Sequence, residues 1–276
     1  MTKKYIYYFG NNSADGNAKM KDLLGGKGAN LAEMANLGFP VPSGFTITTQ
    51  SCNEYNNNNK KYPTGLQSEI DRNLSRLECE MGAKLGDAKN PLLVSVRSGA
   101  AASMPGMMDT VLNLGLNPDS IQGLIHKTKN ERFPWDAYRR FINMFGNVVM
   151  GMKHYDFEEI LDRHKEKANV ENDTDLNAKQ LKEICKDFLA IYKKRTRTNF
   201  PTDPKEQLRK AIVAVFESWN NPRAVKYRKI YEISGLMGTA VNIQAMVYGN
   251  TGNNSATGVC FTRNPSTGEN KFYGEF

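Results

Sequence analysis

Along the first hundred residues the apolar positions switch between two periods. Residues 4–9 are rich in β-type side chains and read as a strand. A polar, turn-rich stretch covers 10–16. Leu23-Leu24-Gly25-Gly26-Lys27-Gly28 then leads into a helical pattern over 29–37, where Leu31, Met34 and Ala35 share a face and Gly38 supplies the stop. Residues 39–42 must be extended, because each proline restricts itself and the residue before it. Residues 45–48 alternate as a strand, 56–61 form a polar loop rich in asparagine and lysine, and 66–81 keep a helical period through Ile70, Leu74 and Leu77. Residues 92–96 read as a buried strand ending at Arg97, followed by a loop of small residues, glycine and methionine over 98–108.

The texture changes from about residue 118. Helical periods dominate, with helices expected over 120–127, 135–150, 157–164 and 178–195. Two more follow over 205–219 and 222–233, the second opened by Pro222, which a first helical turn tolerates. After Gly238 strand patterns return over 240–248, 258–263 and 271–276. The whole reads as α+β, with a helical block inserted between strand-bearing parts. The last strand runs into Phe276 with no closing turn, so the chain is expected to be part of a longer one. An open sheet edge with no covering helix is marginal, and residues after about 249 are expected to be loosely held.

Composition narrows the class. A chain of 276 residues can bury a sizeable core, and 39% hydrophobic with 24% charged residues is ordinary for a soluble globular protein. No apolar run approaches the ~20 residues of a membrane helix. The four cysteines, Cys52, Cys79, Cys185 and Cys260, are far apart and form no Cys-x-x-Cys pair, which favours reduced thiols and a cytoplasmic location over a disulfide framework or zinc site. The net charge of +8 attracts phosphate-bearing partners of any kind, but the basic residues are dispersed and many sit beside acids.

Candidate chemistry lies in two glycine-bearing stretches. Neither a P-loop nor a Gly-x-Gly-x-x-Gly fingerprint is present, and His126, His154 and His164 stand at no metal-ligand spacing. Gly25-Gly26-Lys27-Gly28 lets backbone approach a bulky anion without Cβ clashes, at the start of a helix whose amides favour negative charge, with a lysine as mobile point charge. A flexible turn with an exposed lysine fits the same residues. In Ser95-Val96-Arg97-Ser98-Gly99-Ala100-Ala101-Ala102-Ser103-Met104-Pro105-Gly106-Met107-Met108-Asp109, an arginine at a strand end offers a planar fork for two phosphate oxygens, and the small residues make a loop able to close over a ligand. The alternative is an arginine paired to a carboxylate, with the methionines packed in a core.

That second stretch, with Thr110-Val111-Leu112-Asn113-Leu114-Gly115, resembles the signature of the pyruvate, phosphate dikinases, as does Leu24-Gly25-Gly26-Lys27-Gly28-Ala29-Asn30-Leu31-Ala32-Glu33-Met34. Tyr138-Arg139-Arg140-Phe141, Ser218-Trp219-Asn220-Asn221-Pro222-Arg223-Ala224 and the stretch 257–269 match the same family in order. The resemblance implies an ATP-grasp-type nucleotide-binding module with an inserted α-helical subdomain, incomplete at the C-terminus. Its parts would be residues 1–117, a helical insertion over 118–202, helices returning to the first subdomain over 203–238, and the start of a second subdomain over 239–276. The family converts ATP, pyruvate and phosphate to AMP, phosphoenolpyruvate and pyrophosphate through a phosphohistidine on a swivelling domain. Carried over by position, Lys27 and Arg97 are the catalytic, phosphate-binding pair, Gly106 and Met108 lie near the phosphates, and Gln244, Thr257 and Gly258 lie near the nucleotide. Implied partners are ATP with Mg2+, whose carboxylate ligands are expected beyond residue 276, and the phosphohistidine and pyruvate-binding domains of the same full-length, homodimeric chain. No membrane or nucleic-acid partner is implied, and the chain alone is expected to be inactive. Ala101 stands where many members have a basic residue. Alternatives within the class are a phosphoenolpyruvate synthase or a water or glucan dikinase; outside it, a basic nucleic-acid-binding module or a purely structural domain.

Overall fold

Strand signals from both ends of the chain meet in one sheet. In the computed structural model, which describes residues 3–276, the elements follow in the order β1 (Ile6–Gly10), β2 (Ser13–Ala14), α1 (Lys21–Asn36), β3 (Gly44–Ile47), α2 (Thr49–Asn57), α3 (Leu66–Met81), β4 (Lys84–Leu85), β5 (Pro91–Leu92), β6 (Val94–Gly99) and β7 (Thr110–Leu114). There follow α4 (Pro118–Thr128), α5 (Arg132–Met150), α6 (Tyr155–Ala168), α7 (Ala178–Thr196), α8 (Pro204–Ser218), α9 (Pro222–Ile230), β8 (Ala240–Ala245), β9 (Val259–Phe261) and β10 (Tyr273–Glu275). The helix ends are written locally: Asn117 with Ser120 and Asn177 with Gln180 form reciprocal caps, Asp203 caps α8 ahead of Pro204, and Gly82 closes α3 with a left-handed φ of 58°.

The main sheet has six strands in the order β2-β1-β3-β8-β6-β7, each pair antiparallel. Register and the two-residue period of a strand sort its side chains into two faces. One row, Tyr8–Phe45–Ile243–Val96, is apolar and buried in the main core. The rows beside it, Thr46–Asn242–Arg97 and Gly44–Gln244–Ser95, carry polar groups and therefore face the other way. Helix α1 lies against this polar face: a Cβ added at Gly28 would meet the Thr46 and Asn242 side chains at 2.8–3.0 Å. Its buried positions include Ala29, Ala32 and Ala35, small enough for that approach.

On the apolar side one core runs from the sheet into the helical block. Helix α5 packs on β7, α7 and α8. Phe200, in the link between α7 and α8, sits among Tyr138, Phe141, Phe145 and Tyr192 with ring centroids 5.1–6.2 Å away. All four cysteines are free. Among the described residues no helix is long and apolar enough to cross a membrane.

Several elements depart from the periodicity reading for identifiable reasons. Helix α2 occupies part of the polar stretch; its buried Cys52 and Tyr55 make a stripe too short to stand out, and the Thr48 side chain caps its first turn. The strand ending expected at Arg97 continues to Gly99, because Ser98 and Gly99 still pair with Val241 and Ala240. The β7 strand, not anticipated, closes the sheet beyond β6. The three C-terminal strands do not stay together: β8 inserts at the centre of the main sheet, while β9 and β10 pair with each other and are exposed throughout.

The aromatic cluster predicts that Phe200→Ala destabilises the fold by about 3–5 kcal/mol, the cost of emptying a ring-sized site in a packed core. Urea denaturation followed by circular dichroism checks this; a loss below about 1 kcal/mol would show that the cluster does not join the helices to the sheet.

Candidate functional site

The candidate site begins with a break in a helix. Gly25 has φ 68° and ψ 166°, so α1 starts afresh after it, with a new set of N-terminal amides. The break seats the turn on the end of β6. A Cβ at Gly25 would lie 1.7 Å from the Gly99 carbonyl oxygen, and the Gly26 amide donates to the Ala100 carbonyl at 2.9 Å. Gly99 is constrained in turn, since a Cβ there would lie 2.7 Å from Asn242 Nδ2. Two glycines, Gly25 and Gly99, thus let a helix start, a strand end and a buried amide share one point.

Lys27 follows this junction. Its Nζ donates to the Ser98 carbonyl at 3.0 Å, and burial together with the neighbouring Arg97 charge holds the amine below its usual range. Arg97 projects from β6 and donates through Nη2 to Gln244 Oε1, while Gln244 Nε2 donates to the Pro42 carbonyl at 2.8 Å. Burial also lowers the Arg97 pKa, and its Nε is buried without a hydrogen-bond partner. Among the described residues neither cation forms an ion pair, although each is partly withdrawn from water.

An open cleft of about 570 Å³ lies over this junction, walled by Lys27, Asn30, Ser98 and the loop from Gly99 to Met108. Gly106 and Met108 line it; Gly106 has φ 72° and open space where a Cβ would stand. Arg97 and Gln244 are not among the residues that line it; the Arg97 charge acts on Lys27, and Gln244 accepts a hydrogen bond from Arg97. Thr257 and Gly258 do not line it: Thr257 packs against Gly249, and Gly258 sits beside the Glu275 carbonyl. At the far end of the loop the Asp109 carboxyl is pushed up by burial, against the pull of Arg223 and Asn221.

The cleft's lining carries no carboxylate, and the described residues hold no cluster of three or more histidine, cysteine or acidic side chains suited to a metal. These residues therefore do not make a magnesium site of their own, since magnesium is held by carboxylate or phosphate oxygens. A second cleft, of about 460 Å³ between α5 and β7, is lined by Phe133, Met144, Met246 and Tyr248. Its Arg140 is paired with Asp136 at 3.1 Å, so it offers apolar contact rather than free positive charge. His154 and His164 sit beside Glu158 and Asp187 on the helical block, away from both glycine stretches.

Sequence reasoning missed the layer beneath the turn. Thr46 Oγ1 donates to Asn242 Oδ1 at 2.8 Å, and Asn242 Nδ2 is buried without a partner. The available signal was a polar residue at alternate positions of otherwise apolar strands, Thr46 between Phe45 and Ile47 and Asn242 between Val241 and Ile243.

The glycine geometry separates two substitutions that look alike in sequence. Gly25→Ala, which meets backbone as well as an unfavourable φ, is predicted to destabilise by more than about 2 kcal/mol, while Gly106→Ala, strained in φ alone, costs about 1 kcal/mol. Thermal unfolding of both variants checks the order; equal losses would mean that the turn does not rest on β6 as described.

Comparison with known proteins places this geometry in a family. The profile described as pyruvate phosphate dikinase, AMP/ATP-binding domain, matches residues 21–80 and 58–274. The chain is 58% identical to the chloroplastic pyruvate, phosphate dikinase of Flaveria pringlei over 275 residues, and 57% identical to the chloroplastic pyruvate, phosphate dikinase 1 of Arabidopsis thaliana over 276 residues and to that of Oryza sativa subsp. japonica over 275. Each match covers 100% of this chain and 29% of the relative. The expectation of a cytoplasmic location is overturned by these relatives, which are chloroplast proteins. The chain belongs to the pyruvate phosphate dikinase AMP/ATP-binding domain family.

Proposed function

We propose that the Lys27 cleft binds the phosphates of ATP, and that the chain is the nucleotide-binding part of a pyruvate, phosphate dikinase. The observation that carries this reading is Lys27 in the wall of a cleft built from glycine and other small residues, with the Arg97 charge acting on it and no carboxylate paired to either cation among the described residues. Desolvated like charges at close range disfavour each other, and an anion between them relieves that cost. Helix amides restarting at Gly26 add a favourable dipole.

In the proposed reaction a pyrophosphoryl group passes from ATP to a histidine of another domain with release of AMP, its terminal phosphoryl passes to inorganic phosphate to give pyrophosphate, and the phosphoryl left on the histidine passes to pyruvate to give phosphoenolpyruvate. Transfer of this kind requires neutralisation of phosphate oxygens more than covalent work by the protein. Lys27 supplies a mobile point charge. Arg97, aimed by Gln244, supplies a planar fork, and the Gly99-to-Met108 loop covers the phosphates and limits water. Gln244 thereby acts on the nucleotide through Arg97. The magnesium that accompanies ATP would be held by phosphate oxygens and by carboxylates outside this cleft. The fold is proposed to be of the ATP-grasp type, the antiparallel sheet forming one jaw and the helical block of residues 118–202 an insertion beside it.

Calorimetric titration with Mg-ATP tests the reading. Lys27→Ala and Arg97→Ala are each predicted to weaken binding at least about tenfold, the loss of one charge-assisted contact, with the fold intact by circular dichroism. Wild-type affinity in both variants would contradict the assignment, and tight, salt-sensitive binding of a structured RNA in place of ATP would replace it.

A further inference from the structure

We infer that Arg223 is a positioning residue for this cleft: it latches the Met-rich loop to the start of α9 and so fixes the wall that faces the phosphates. The inference rests on the nucleotide-binding reading above. The loop is tied at its ends, where Ser98 donates to the Asp109 carbonyl at 3.3 Å, and Met104 is buried in the main core; between these points its hydrogen bonds are few. At its start the Ala100 carbonyl takes the Gly26 amide, inside it Met107 donates to Met104, and Gly106 has open space around it. Its last residues alternate in direction. Met108 lines the cleft, while the Met107 carbonyl and the Asp109 carboxylate turn the other way, toward α9.

There Arg223 meets both. Its Nε donates to the Met107 carbonyl at 3.2 Å, its Nη2 donates to Asp109 Oδ1, and Asn221 Nδ2 donates to Asp109 Oδ2 at 3.2 Å. A guanidinium does this because its donors stand in a rigid fork that spans a carbonyl and a carboxylate two residues apart; a lysine has no such span. The support behind the fork is firm. Asn221 is tied to Ser218 through its amide, Pro222 occupies the first turn of α9, and Ala224 is fully buried. Surface ion pairs ordinarily contribute little, but the Asp109 side chain is only 12% exposed against 52% for Arg223, so the carboxylate depends on this partner. The Asn-Pro-Arg stretch before Ala224, whose proline opens α9, is also the seat of the latch.

Hydrogen exchange on the ligand-free chain, read by mass spectrometry, and Mg-ATP titration on the same samples test the proposal. In Arg223→Gln the amides from Ala100 to Asp109 are expected to exchange about tenfold faster, with β6 and α5 unchanged, and the Kd for Mg-ATP to rise about tenfold. Asp109→Asn, which keeps the side-chain shape, is expected to act alike, Arg223→Lys to recover only part of the loss, and Lys226→Gln, a neighbouring exposed cation on α9, to change nothing. Unchanged loop exchange in Arg223→Gln overturns the latch. A loosened loop with wild-type affinity overturns its role in shaping the cleft. Should Arg223→Gln loosen the whole fold, Asp109→Asn decides by the same two readings. If the wild type binds no Mg-ATP, the nucleotide reading fails, and the role in shaping the site fails with it, while loop exchange still decides whether Arg223 holds the loop.

Discussion

The structure depends on how closely the start of α1 comes to the end of β6. A side chain at Gly25 would run into the Gly99 carbonyl, and one at Gly28 would run into Thr46 and Asn242. That approach fixes the composition around it. Alanines line the buried face of α1, glycine ends β6, and the sheet face beneath is polar where a sheet covered by a helix is ordinarily apolar. The other face carries the hydrophobic load of the fold and is continuous with the helical block, so the polar face is supported from behind by a packed core.

Two charges follow from this construction. Lys27 is carried on the helix side of the junction and Arg97 on the strand side, and neither finds a carboxylate among the described residues. Gln244 orients Arg97 without neutralising it, because an amide oxygen accepts a hydrogen bond but brings no net charge. In the proposed function an anion relieves the cost of holding two such cations near each other. The rigid half of the cleft comes from helix and sheet. The adaptable half is the loop between Gly99 and Met108, whose direction is set from outside by Arg223.

The parts legible in the sequence are those where one physical signal dominates. The period through Ile70, Leu74 and Leu77 gives α3 to the residue, and the long helices α5 and α7 follow from stripes that face one core. Glycine next to lysine marked the turn, because a left-handed φ and a close backbone approach need glycine. What stayed hidden depends on partners far apart in sequence. β8 looks like the first of three terminal strands until its pairing with β3 and β6 is seen, some 200 and 147 positions away by its contacts with Pro42 and Arg97. Asn242, Gln244 and Arg223 matter only through residues that the fold brings to them. α2 stayed hidden because a polar helix whose buried residues include only Cys52 and Tyr55 beside Thr49 and Ser51 has almost no apolar stripe.

The most direct measurement is amide chemical-shift mapping of the chain titrated with Mg-ATP. Phosphate binding in the Lys27 cleft predicts the largest shifts on Gly26, Lys27 and Gly28 and on the loop from Ser98 to Met108, with α6 and α7 silent. Shifts centred instead on the apolar cleft near Phe133 and Tyr248, with Gly26 to Gly28 unmoved, would contradict it.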